Sequence, residues 1–579
     1  MIASRYDSPV HVTEAIVQAL ADAGVEYVFG MPGGYTGSIF EALFEHPTIR
    51  VVQVREESIG SAMAEAYGRV TGKPVVVMGQ GEWIAGNAGQ GFLEALLGAS
   101  PMLILTEMSD NGPLSHHAPY QGGTGDYGSW DAIRALEGVT KRVLTSHHPA
   151  QAVQQVQLAL KHALTGQPGP VAVVFHGDAL RGTVGPDSQP RLYHTSAYLP
   201  GRSHALDQAA VDAAAAALRA ARRPVVIAGN GVRVGQARAQ LAAFAQAVDA
   251  PVATTASGKG VFPETHPAGA GVMGTFGVPT ANHLIGDADV IVAVGTKLGP
   301  VDTGDENRAL IDPERQVLIQ LELEPLNASW TFPIEHALVG DAAVLLDALR
   351  AAHGPDVSAR EATAAARVAA VHEAHGEPVT DAFTADVLPM MPQRLITLLQ
   401  EIVPDDTIVT CDAGENRLFM MHWYRTKPGG DYLQPAAGGG MGYSVPAGMG
   451  AKLARPDQPV LSVVGDGGFA MSLHALMTAV QAKLPITVLV LNNGALGWVL
   501  HGMGPKAVGA SFDAFDYAAI ARAIGCEGTK VESVEQLRDA LKLIGTLDRP
   551  HVIDVPMSLA VSFKDTVQPL ASERWKRSE

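Results

Sequence analysis

The chain has 579 residues, of which 47% are hydrophobic and 17% charged, and its formal net charge is −18. This length exceeds what one hydrophobic core covers and fits about three domains. The negative charge disfavours binding to nucleic acid or to an anionic membrane surface. Two cysteines cannot build a disulfide framework, residues 1–13 contain no apolar leader, and no run of about 18 apolar residues occurs. We therefore expect a cytoplasmic protein without membrane contact.

Helical periodicity alternates with short β-branched runs in the first third of the chain. This alternation predicts an α/β domain with a parallel sheet, which we assign to residues 1–185. A Gly/Pro/Ser-rich stretch at 182–203 predicts a linker after it. In chain order the predicted elements are helix 13–23, strand 26–29, helix 58–70, strand 75–78 and strand 102–106.

Two further α/β units follow. The second is assigned to residues 205–350 and the third to 380–579, and the Ala-rich segment 351–378 between them predicts a partly helical linker. The fold class is therefore α/β, with three doubly wound parallel-sheet domains. The predicted elements are helix 211–221 and strands 225–227, 290–294 and 317–323 in the second unit, then helix 394–402, strand 407–410, helix 471–482 and helix 518–524 in the third.

Two polar signals end consecutive apolar runs of the third unit. Gly465-Asp466-Gly467 follows the run 460–464, and Asn492-Asn493 closes the run 486–491. A glycine turn lets backbone N–H groups approach an anion at the start of a helix. Asp466 and Asn493 supply hard oxygen ligands that suit Mg²⁺ with phosphate oxygens in its shell. The pattern predicts a cradle for a diphosphate and a metal.

This spacing resembles the thiamine diphosphate motif, in which GDG is followed after a strand–helix–strand unit by NN. Other segments resemble acetohydroxyacid synthase and pyruvate decarboxylase, members of the same thiamine diphosphate-dependent family, in the expected order from about residue 10 to 560. They are Val28-Phe29-Gly30-Met31-Pro32-Gly33-Gly34, Arg55-Glu56-Glu57-Ser58, Ala64-Glu65-Ala66-Tyr67-Gly68-Arg69 and Gly260-Val261-Phe262-Pro263. The resemblance implies a pyrimidine-binding first domain, a central Rossmann-like domain and a diphosphate-binding third domain.

The resemblance also implies roles for single residues. Glu57 falls on the catalytic glutamate, whose carboxyl stabilises the imino tautomer of the cofactor's pyrimidine; Glu56, in place of the usual histidine, reads as a surface charge. Met441 falls on the residue that bends the cofactor, and the backbone carbonyl of Ala495 on the third protein ligand of the metal. The remaining implied cofactor contacts are Gly33, Asn416, Gly440, Gly465, Gly467, Gly468, Leu496 and Gly497.

The predicted substrate end departs from the relatives. His116-His117 resembles the paired histidines of pyruvate decarboxylase and is a candidate catalytic pair. The glutamate that handles protons after the NN motif there is replaced by Val499, which favours attack on a second carbonyl over aldehyde release. Trp83 and Trp498 fall at positions that face substrate in relatives.

The signatures of acetohydroxyacid synthase are incomplete. Its R-Q-W-Q run becomes Leu500-His501-Gly502-Met503, and its R-F-D-D-R flavin contact becomes Lys297-Leu298-Gly299-Pro300-Val301. The second replacement disfavours FAD, whereas Gly229-Asn230-Gly231 with Glu322 or Glu324 suits a nucleotide such as ADP. A Rossmann-like central domain that binds no nucleotide stays open as the alternative.

The leading interpretation is a decarboxylating carboligase that acts on a small 2-oxo acid with thiamine diphosphate and Mg²⁺, similar to acetolactate synthase. Three alternatives stay open: a 2-hydroxyacyl-CoA lyase or oxalyl-CoA decarboxylase, a simple 2-oxo acid decarboxylase, and a non-catalytic relative. The resemblance also implies a homodimer or homotetramer with active sites at the subunit interface, where Glu57 of one chain faces Asp466 of another.

Overall fold

The computed structural model describes residues 4–110, 121–126, 129–199 and 206–567. Over these residues the chain forms three six-stranded parallel sheets with helices packed on both faces, which confirms the predicted α/β class. Within the same ranges no helix has the length and apolar character needed to cross a membrane. The boundaries 1–185, 205–350 and 380–579 stay a prediction.

The first sheet has the strand order β3-β2-β4-β5-β7-β6. Its inner strands are mainly apolar and fully buried because helices cover both faces. A short pair, β1 (Val10–His11) and β8 (Thr183–Val184), lies apart from it. The other strands are β2 (Tyr27–Gly30), β3 (Arg50–Gln53), β4 (Val75–Met78), β5 (Met102–Met108), β6 (Arg142–Ser146) and β7 (Pro170–His176). The helices are α1 (Val12–Asp22), α2 (Gly37–Ala42), α3 (Glu57–Thr71), α4 (Gly81–Asn87), α5 (Gly89–Gly98), α6 (Ala132–Glu137) and α7 (Pro149–Leu164).

The central sheet has the strand order β11-β10-β9-β12-β13-β14. From β9 the chain adds β10 and β11 on one side and then β12 to β14 on the other, so the winding reverses between the parallel strands β9 and β12. Such a reversal opens a crevice at the carboxyl ends of the two strands, where ligands bind in doubly wound folds. The strands are β9 (Val225–Ala228), β10 (Val252–Thr254), β11 (Gly269–Val272), β12 (Val290–Val294), β13 (Val317–Glu322) and β14 (His336–Val339). The helices are α8 (Gln208–Ala220), α9 (Asn230–Val234), α10 (Arg238–Val248), α11 (Pro279–Gly286), α12 (Pro300–Thr303) and α13 (Ala342–His353), with α14 (Ala364–His375) in the predicted linker.

The third sheet has the order β16-β15-β17-β18-β20-β19. Its strands are β15 (Ile408–Cys411), β16 (Asp431–Leu433), β17 (Val460–Gly465), β18 (Thr487–Asn492), β19 (Glu527–Lys530) and β20 (His551–Pro556). The helices are α15 (Pro392–Ile402), α16 (Glu415–Trp423), α17 (Ser444–Ala454), α18 (Asp466–Ser472), α19 (Ala475–Gln481), α20 (Gly497–Met503), α21 (Tyr517–Ile524), α22 (Val534–Lys542) and α23 (Phe563–Thr566).

Helices α3 and α17 join the first and third domains. Arg69 is fully buried, pairs with Glu65 at 2.7 Å and donates to the carbonyl of Gln434 at 2.8 Å. The other oxygen of Glu65 accepts from the hydroxyl of Tyr443 at 2.6 Å. A buried ion pair costs desolvation unless further hydrogen bonds satisfy it, and these bonds come from the other domain. The cluster therefore holds the two domains in one arrangement.

Two predicted segments differ from the structure. The helix predicted at 471–482 is two helices, and the first begins at Asp466 itself, so the glycine turn is the first turn of α18. The composition of the stretch 182–203 predicts a linker, but part of this stretch packs on the first domain. Thr183 pairs with His11, and the carbonyl of Leu192 accepts a hydrogen bond from the backbone N–H of Arg5.

Candidate active site

A cavity of about 240 Å³ opens at the carboxyl ends of the third sheet. Both predicted signals lie on its wall, because β17 and β18 are neighbouring parallel strands and their ends meet at one edge. Among the described residues its lining comes entirely from the third domain. The lining residues that the sequence predicted are Asn416, Met441, Gly465, Asp466, Gly467, Gly468, Asn493, Ala495, Leu496, Gly497, Trp498 and Val499.

Asp466 is the first residue of α18 and is 2% exposed. Its Oδ2 accepts from the backbone N–H groups of Asn493 at 3.0 Å and Gly494 at 2.6 Å, and its Oδ1 from that of Gly467 at 2.9 Å. Burial raises the pKa of Asp466, and these three backbone bonds oppose the rise. The carboxylate thus fixes the turn after β18 against the turn after β17.

Asn493 and Ala495 complete the candidate metal set. The side-chain Oδ1 of Asn493 accepts from the backbone of Ala495 at 3.0 Å. A carboxylate, an amide oxygen and a backbone carbonyl are all hard ligands, which suit Mg²⁺ with its remaining positions left to phosphate oxygens and water. No group of three or more His, Cys, Asp and Glu side chains that could hold a metal occurs within the described ranges; the candidate set contains one such side chain.

Met441 and Leu496 flank the glycine turn. A methyl group placed on Gly467 would lie 2.8 Å from Leu496 Cδ2 and 3.2 Å from Met441 Cε, so a larger residue there would have to displace the ends of these two side chains. Asp412, which the sequence analysis did not single out, holds the turn after Met441, because its carboxylate accepts from the backbone of Gly442 at 2.9 Å and of Tyr443 at 3.0 Å. Burial raises the pKa of Asp412 to about 6.

Glu57 lies in the first domain, at the start of α3, and is 6% exposed. Its Oε2 accepts from Asn87 Nδ2 at 2.9 Å. Glu56 is the N-cap of the same helix and accepts from the backbone of Ser58 at 3.0 Å, so the reading of Glu56 as a mere surface charge was incomplete. Neither glutamate lines the cavity of the third domain.

Three other predicted residues also lie outside that lining. Gly33 belongs to a surface turn of the first domain that contacts Gln80, and Trp83 is 51% exposed on α4. A methyl group on Gly440 would collide with Gln90, whose amide donates to the carbonyl of Met441 at 3.0 Å. His116 and His117 lie outside the described residues.

Trp498 and Val499 form the outer wall on α20. Trp498 packs edge-on against Phe276 of the central domain with ring centroids 6.4 Å apart, and the ammonium group of Lys564 lies 4.7 Å from its ring. Val499 lines the cavity and is 36% exposed. Aromatic and aliphatic side chains therefore enclose the space beyond the glycine turn.

One segment of the lining carried no sequence signal. The segment Met557, Ser558, Leu559 and Val561 closes one side of the cavity. Asn416 Nδ2 donates to the carbonyl of Asp412 at 3.1 Å, while Glu415 Oε2 lies 2.8 Å from His501 Nδ1. Glu415 and His501 are 86 positions apart, so the fold alone brings them together.

A second cavity, of about 470 Å³, lies at the crevice of the central sheet. Asn230, Gly231 and Glu322 line it, as the sequence predicted for a nucleotide, whereas Glu324 is not part of the lining and caps a short turn instead. A methyl group on Gly231 would lie 2.6 Å from the Cα of Gly295, so the close approach of two backbones requires glycine there.

Three parallel-sheet domains in this order, with a glycine turn and oxygen ligands at one edge of the third, define the architecture of thiamine diphosphate-dependent enzymes. Family models agree over most of the chain: the N-terminal TPP binding domain of thiamine pyrophosphate enzymes matches residues 10–125, the central domain 211–349 and the C-terminal TPP binding domain 412–555. The chain therefore belongs to the thiamine pyrophosphate enzyme family.

Individual relatives are similar over nearly the whole chain. A probable acetolactate synthase large subunit from Methanocaldococcus jannaschii is 28% identical, over 94% of this chain and 91% of its own length. A probable 2-ketoarginine decarboxylase from Pseudomonas aeruginosa is 31% identical, over 91% of each chain. A sulfoacetaldehyde acetyltransferase from Castellaniella defragrans is 28% identical, over 92% of this chain and 90% of its own. The protein is thus a thiamine diphosphate-dependent enzyme of the acetolactate synthase type.

Proposed function

We propose that this enzyme decarboxylates a small 2-oxo acid and joins the remaining acyl unit to a second carbonyl compound, with Mg²⁺ as the metal. The relatives are named for synthase, decarboxylase and acetyl-transfer activities, so the family alone leaves the outcome open. The observation that carries the choice is the apolar wall at Val499, which lines the cavity beside Trp498. An apolar residue at this position, in place of an acid, leaves the reacting carbon unprotonated for longer, which favours attack on a second carbonyl over protonation.

The residues at the third sheet would hold the cofactor by its diphosphate. Asp466, Asn493 and the carbonyl of Ala495 would bind Mg²⁺, and the glycines 465, 467, 468 and 497 would leave room for phosphate oxygens. Met441 and Leu496, which flank the glycine turn, would contact the rings of the cofactor. When bound, thiamine diphosphate would supply a nucleophilic carbon that adds to the 2-oxo carbonyl and a cationic thiazolium ring that takes up the electron pair released by decarboxylation.

Glu57 would hold a proton at its carboxyl against the pyrimidine ring of the cofactor. Asn87 donates to one carboxyl oxygen and so fixes the orientation of the group. Because Glu57 and Gly33 lie in the first domain and outside the lining of the cavity, we propose that a second copy of the chain supplies them. The protein would then be a homodimer, or a homotetramer of two such dimers. His116, His117 and Trp83 stay candidates for substrate contact on the same side.

A cytoplasmic location is part of the proposal. Both cysteines, Cys411 and Cys526, are free and buried, and free thiols suit a reducing compartment.

Replacement of Val499 by glutamate tests the proposed outcome. The wild-type enzyme, given single and paired 2-oxo acids, should yield mainly a ligated hydroxyketo product by mass spectrometry. Val499→Glu places an acid at the reacting end, so the ratio of aldehyde to ligated product should rise by about tenfold or more. Val499→Leu is the matched control and should keep the wild-type ratio. Aldehyde as the main wild-type product would contradict the proposal and favour a simple decarboxylase.

The central cavity favours one alternative reaction. A nucleotide such as ADP suits the glycine crevice of this cavity. The resemblance to 2-hydroxyacyl-CoA lyases and oxalyl-CoA decarboxylases implies ADP at this place. The same product screen should therefore include 2-hydroxyacyl- and oxalyl-thioesters. Nucleotide released from the denatured protein and identified by mass spectrometry would decide between ADP, FAD and an empty crevice.

A further inference from the structure

Glu415 lines the third-domain cavity and pairs with His501, which lies outside the lining. Glu415 is the first residue of α16, directly after the turn Gly414, and His501 lies on α20. The carboxylate Oε2 is 2.8 Å from the imidazole Nδ1, and the two side chains are 9% and 18% exposed. The pair therefore sits where solvent screens charge only weakly.

The remaining hydrogen bonds of the pair require one more proton than a neutral imidazole and a carboxylate carry. The backbone N–H of Phe563 donates to Glu415 Oε1 at 2.7 Å, and His501 Nε2 is 3.1 Å from the carbonyl oxygen of Leu559. A carbonyl only accepts, so Nε2 carries a hydrogen. Nδ1 and Oε2 then need a second hydrogen between them, on either atom. In both arrangements the pair has no net charge.

The pair lies beside the proposed diphosphate site, where its net charge would affect binding. Glu415 faces the same cavity as the glycine turn Gly465, Gly467 and Gly468, where we place the diphosphate. A methyl group on Gly497 would lie 3.2 Å from Glu415 Oε2, so the carboxylate reaches the start of α20 beside the turn. An unpaired carboxylate there would repel a diphosphate across a weakly screened distance.

We propose that His501 is a positioning residue that shares a proton with Glu415, so that the pair carries no net charge. A glutamate can then lie in the turn that faces the cofactor's diphosphate. The inference rests on the proposed placement of the diphosphate at Asp466 and Asn493. It also explains why the turn tolerates a carboxylate, whose charge alone would oppose binding.

A second glutamate–histidine pair in the chain offers a matched control. His422 Nε2 is 2.8 Å from Glu377 Oε1, and His422 Nδ1 is 3.2 Å from the carbonyl oxygen of Phe276. The bonding pattern is the same, but neither residue lines the third-domain cavity. This pair ties the segment before α15 to α16 and has no diphosphate to accommodate.

The test compares binding of thiamine diphosphate and of thiamine, both with Mg²⁺, by fluorescence titration of the full-length protein. His501→Leu leaves Glu415 uncompensated, so thiamine diphosphate affinity should fall about 10- to 100-fold while thiamine affinity stays within about threefold. Adding Glu415→Gln to His501→Leu should restore thiamine diphosphate affinity to within about threefold of Glu415→Gln alone. His422→Leu should lower Tm without changing the ratio of the two affinities.

Three results would overturn the inference. The first is wild-type thiamine diphosphate affinity in His501→Leu. The second is no recovery of thiamine diphosphate affinity in the double variant, which would mean that the pair only holds Leu559 and Phe563 in place through hydrogen bonds. The third, which holds even if His501→Leu fails to fold, is a loss of more than about tenfold in Glu415→Gln, since an amide satisfies the same bonds beside a neutral imidazole. A wild-type protein that binds thiamine diphosphate without Mg²⁺ would instead contradict the proposed metal site.

Discussion

The first and third sheets share one strand order but carry different chemistry at their carboxyl ends. The orders β3-β2-β4-β5-β7-β6 and β16-β15-β17-β18-β20-β19 are the same when strands are counted within each domain. At the third strand, β17 ends in Gly465 before Asp466, whereas β4 is followed by Gly79 and Gln80. At the fourth strand, β18 is followed by Asn493, whereas β5 contains the buried Glu107 near its end.

The difference shows that topology provides a place for a ligand and single residues decide what binds there. In the third domain the carboxylate of Asp466 accepts from two backbone N–H groups of the neighbouring turn and belongs to an oxygen-rich set. In the first domain Glu107 accepts from the backbone N–H of Thr36, and a methyl group on Gly34 would collide with its Oε1. One edge thus carries the proposed metal and phosphate ligands, and the other packs a carboxyl beneath a glycine turn.

The largest expected effect comes from removing the carboxylate of the third edge. Asp466→Ala should weaken Mg²⁺-dependent binding of thiamine diphosphate at least about 100-fold, because the diphosphate charge then lacks its metal in a buried cleft. Gln80→Ala, at the corresponding strand end of the first domain, should change this affinity by less than about threefold. Isothermal titration with and without EDTA measures both. Equal losses of thiamine diphosphate affinity in the two variants would mean that the carboxyl edges of the first and third sheets do not differ in cofactor binding as we infer.

The next effect concerns the acid that the first domain is proposed to supply. Glu57→Gln should fold and bind cofactor but lose about 10²- to 10³-fold in turnover, since an amide cannot share a proton with the pyrimidine ring. Glu56→Gln, one residue away at the N-cap, should stay within about threefold of wild type. Proton–deuterium exchange at the thiazolium carbon separates loss of activation from loss of binding. Unchanged exchange in Glu57→Gln would remove this residue from the mechanism.

Much of this arrangement could be predicted from the sequence. The buried runs Val75–Met78 and Val290–Val294 form strands over the predicted residues, because β-branched side chains suit parallel strands covered on both faces. The GDG and NN signals were expected at one edge because neighbouring parallel strands end together. Contacts between side chains that are far apart in the sequence were not predictable. The contact of Glu415 with His501 and that of Glu65 with Tyr443 depend on how the helices pack.

The start of α18 also escaped prediction for a physical reason. Asp466, Gly467 and Gly468 are poor helix formers, so propensity alone predicts a turn there and a helix later. In the structure Asp466 opens the helix and bonds to the turn after β18, so tertiary contacts override local propensity.

A mixing experiment tests whether the two edges of one site come from different chains. Glu57→Gln and Asp466→Ala chains, each nearly inactive, should regain about a quarter of wild-type activity when combined in equal amounts. Half of randomly formed dimers are mixed, and each mixed dimer has one intact site of two. Subunit exchange is verified by native mass spectrometry. Activity no higher than that of the unmixed variants, with exchange verified, would place both edges of a site within one chain.

The smallest expected effect is a pH-dependent change in folding stability caused by Glu107 at the carboxyl edge of the first sheet. Burial raises the pKa of Glu107 from 4.5 to about 7. Between these values the folded state binds more protons than the unfolded state, so stability falls as pH rises and levels off above about pH 7, by about 3 kcal/mol at most. Glu107→Gln does not titrate, so its Tm relative to wild type should increase by about 3–6 °C between pH 5 and pH 8. Glu41→Gln, an exposed glutamate of α2, should show no such trend. A Tm difference between Glu107→Gln and wild type that stays constant across this range would mean that Glu107 is not held protonated by the fold, and the contrast with Asp466 would then rest on geometry alone.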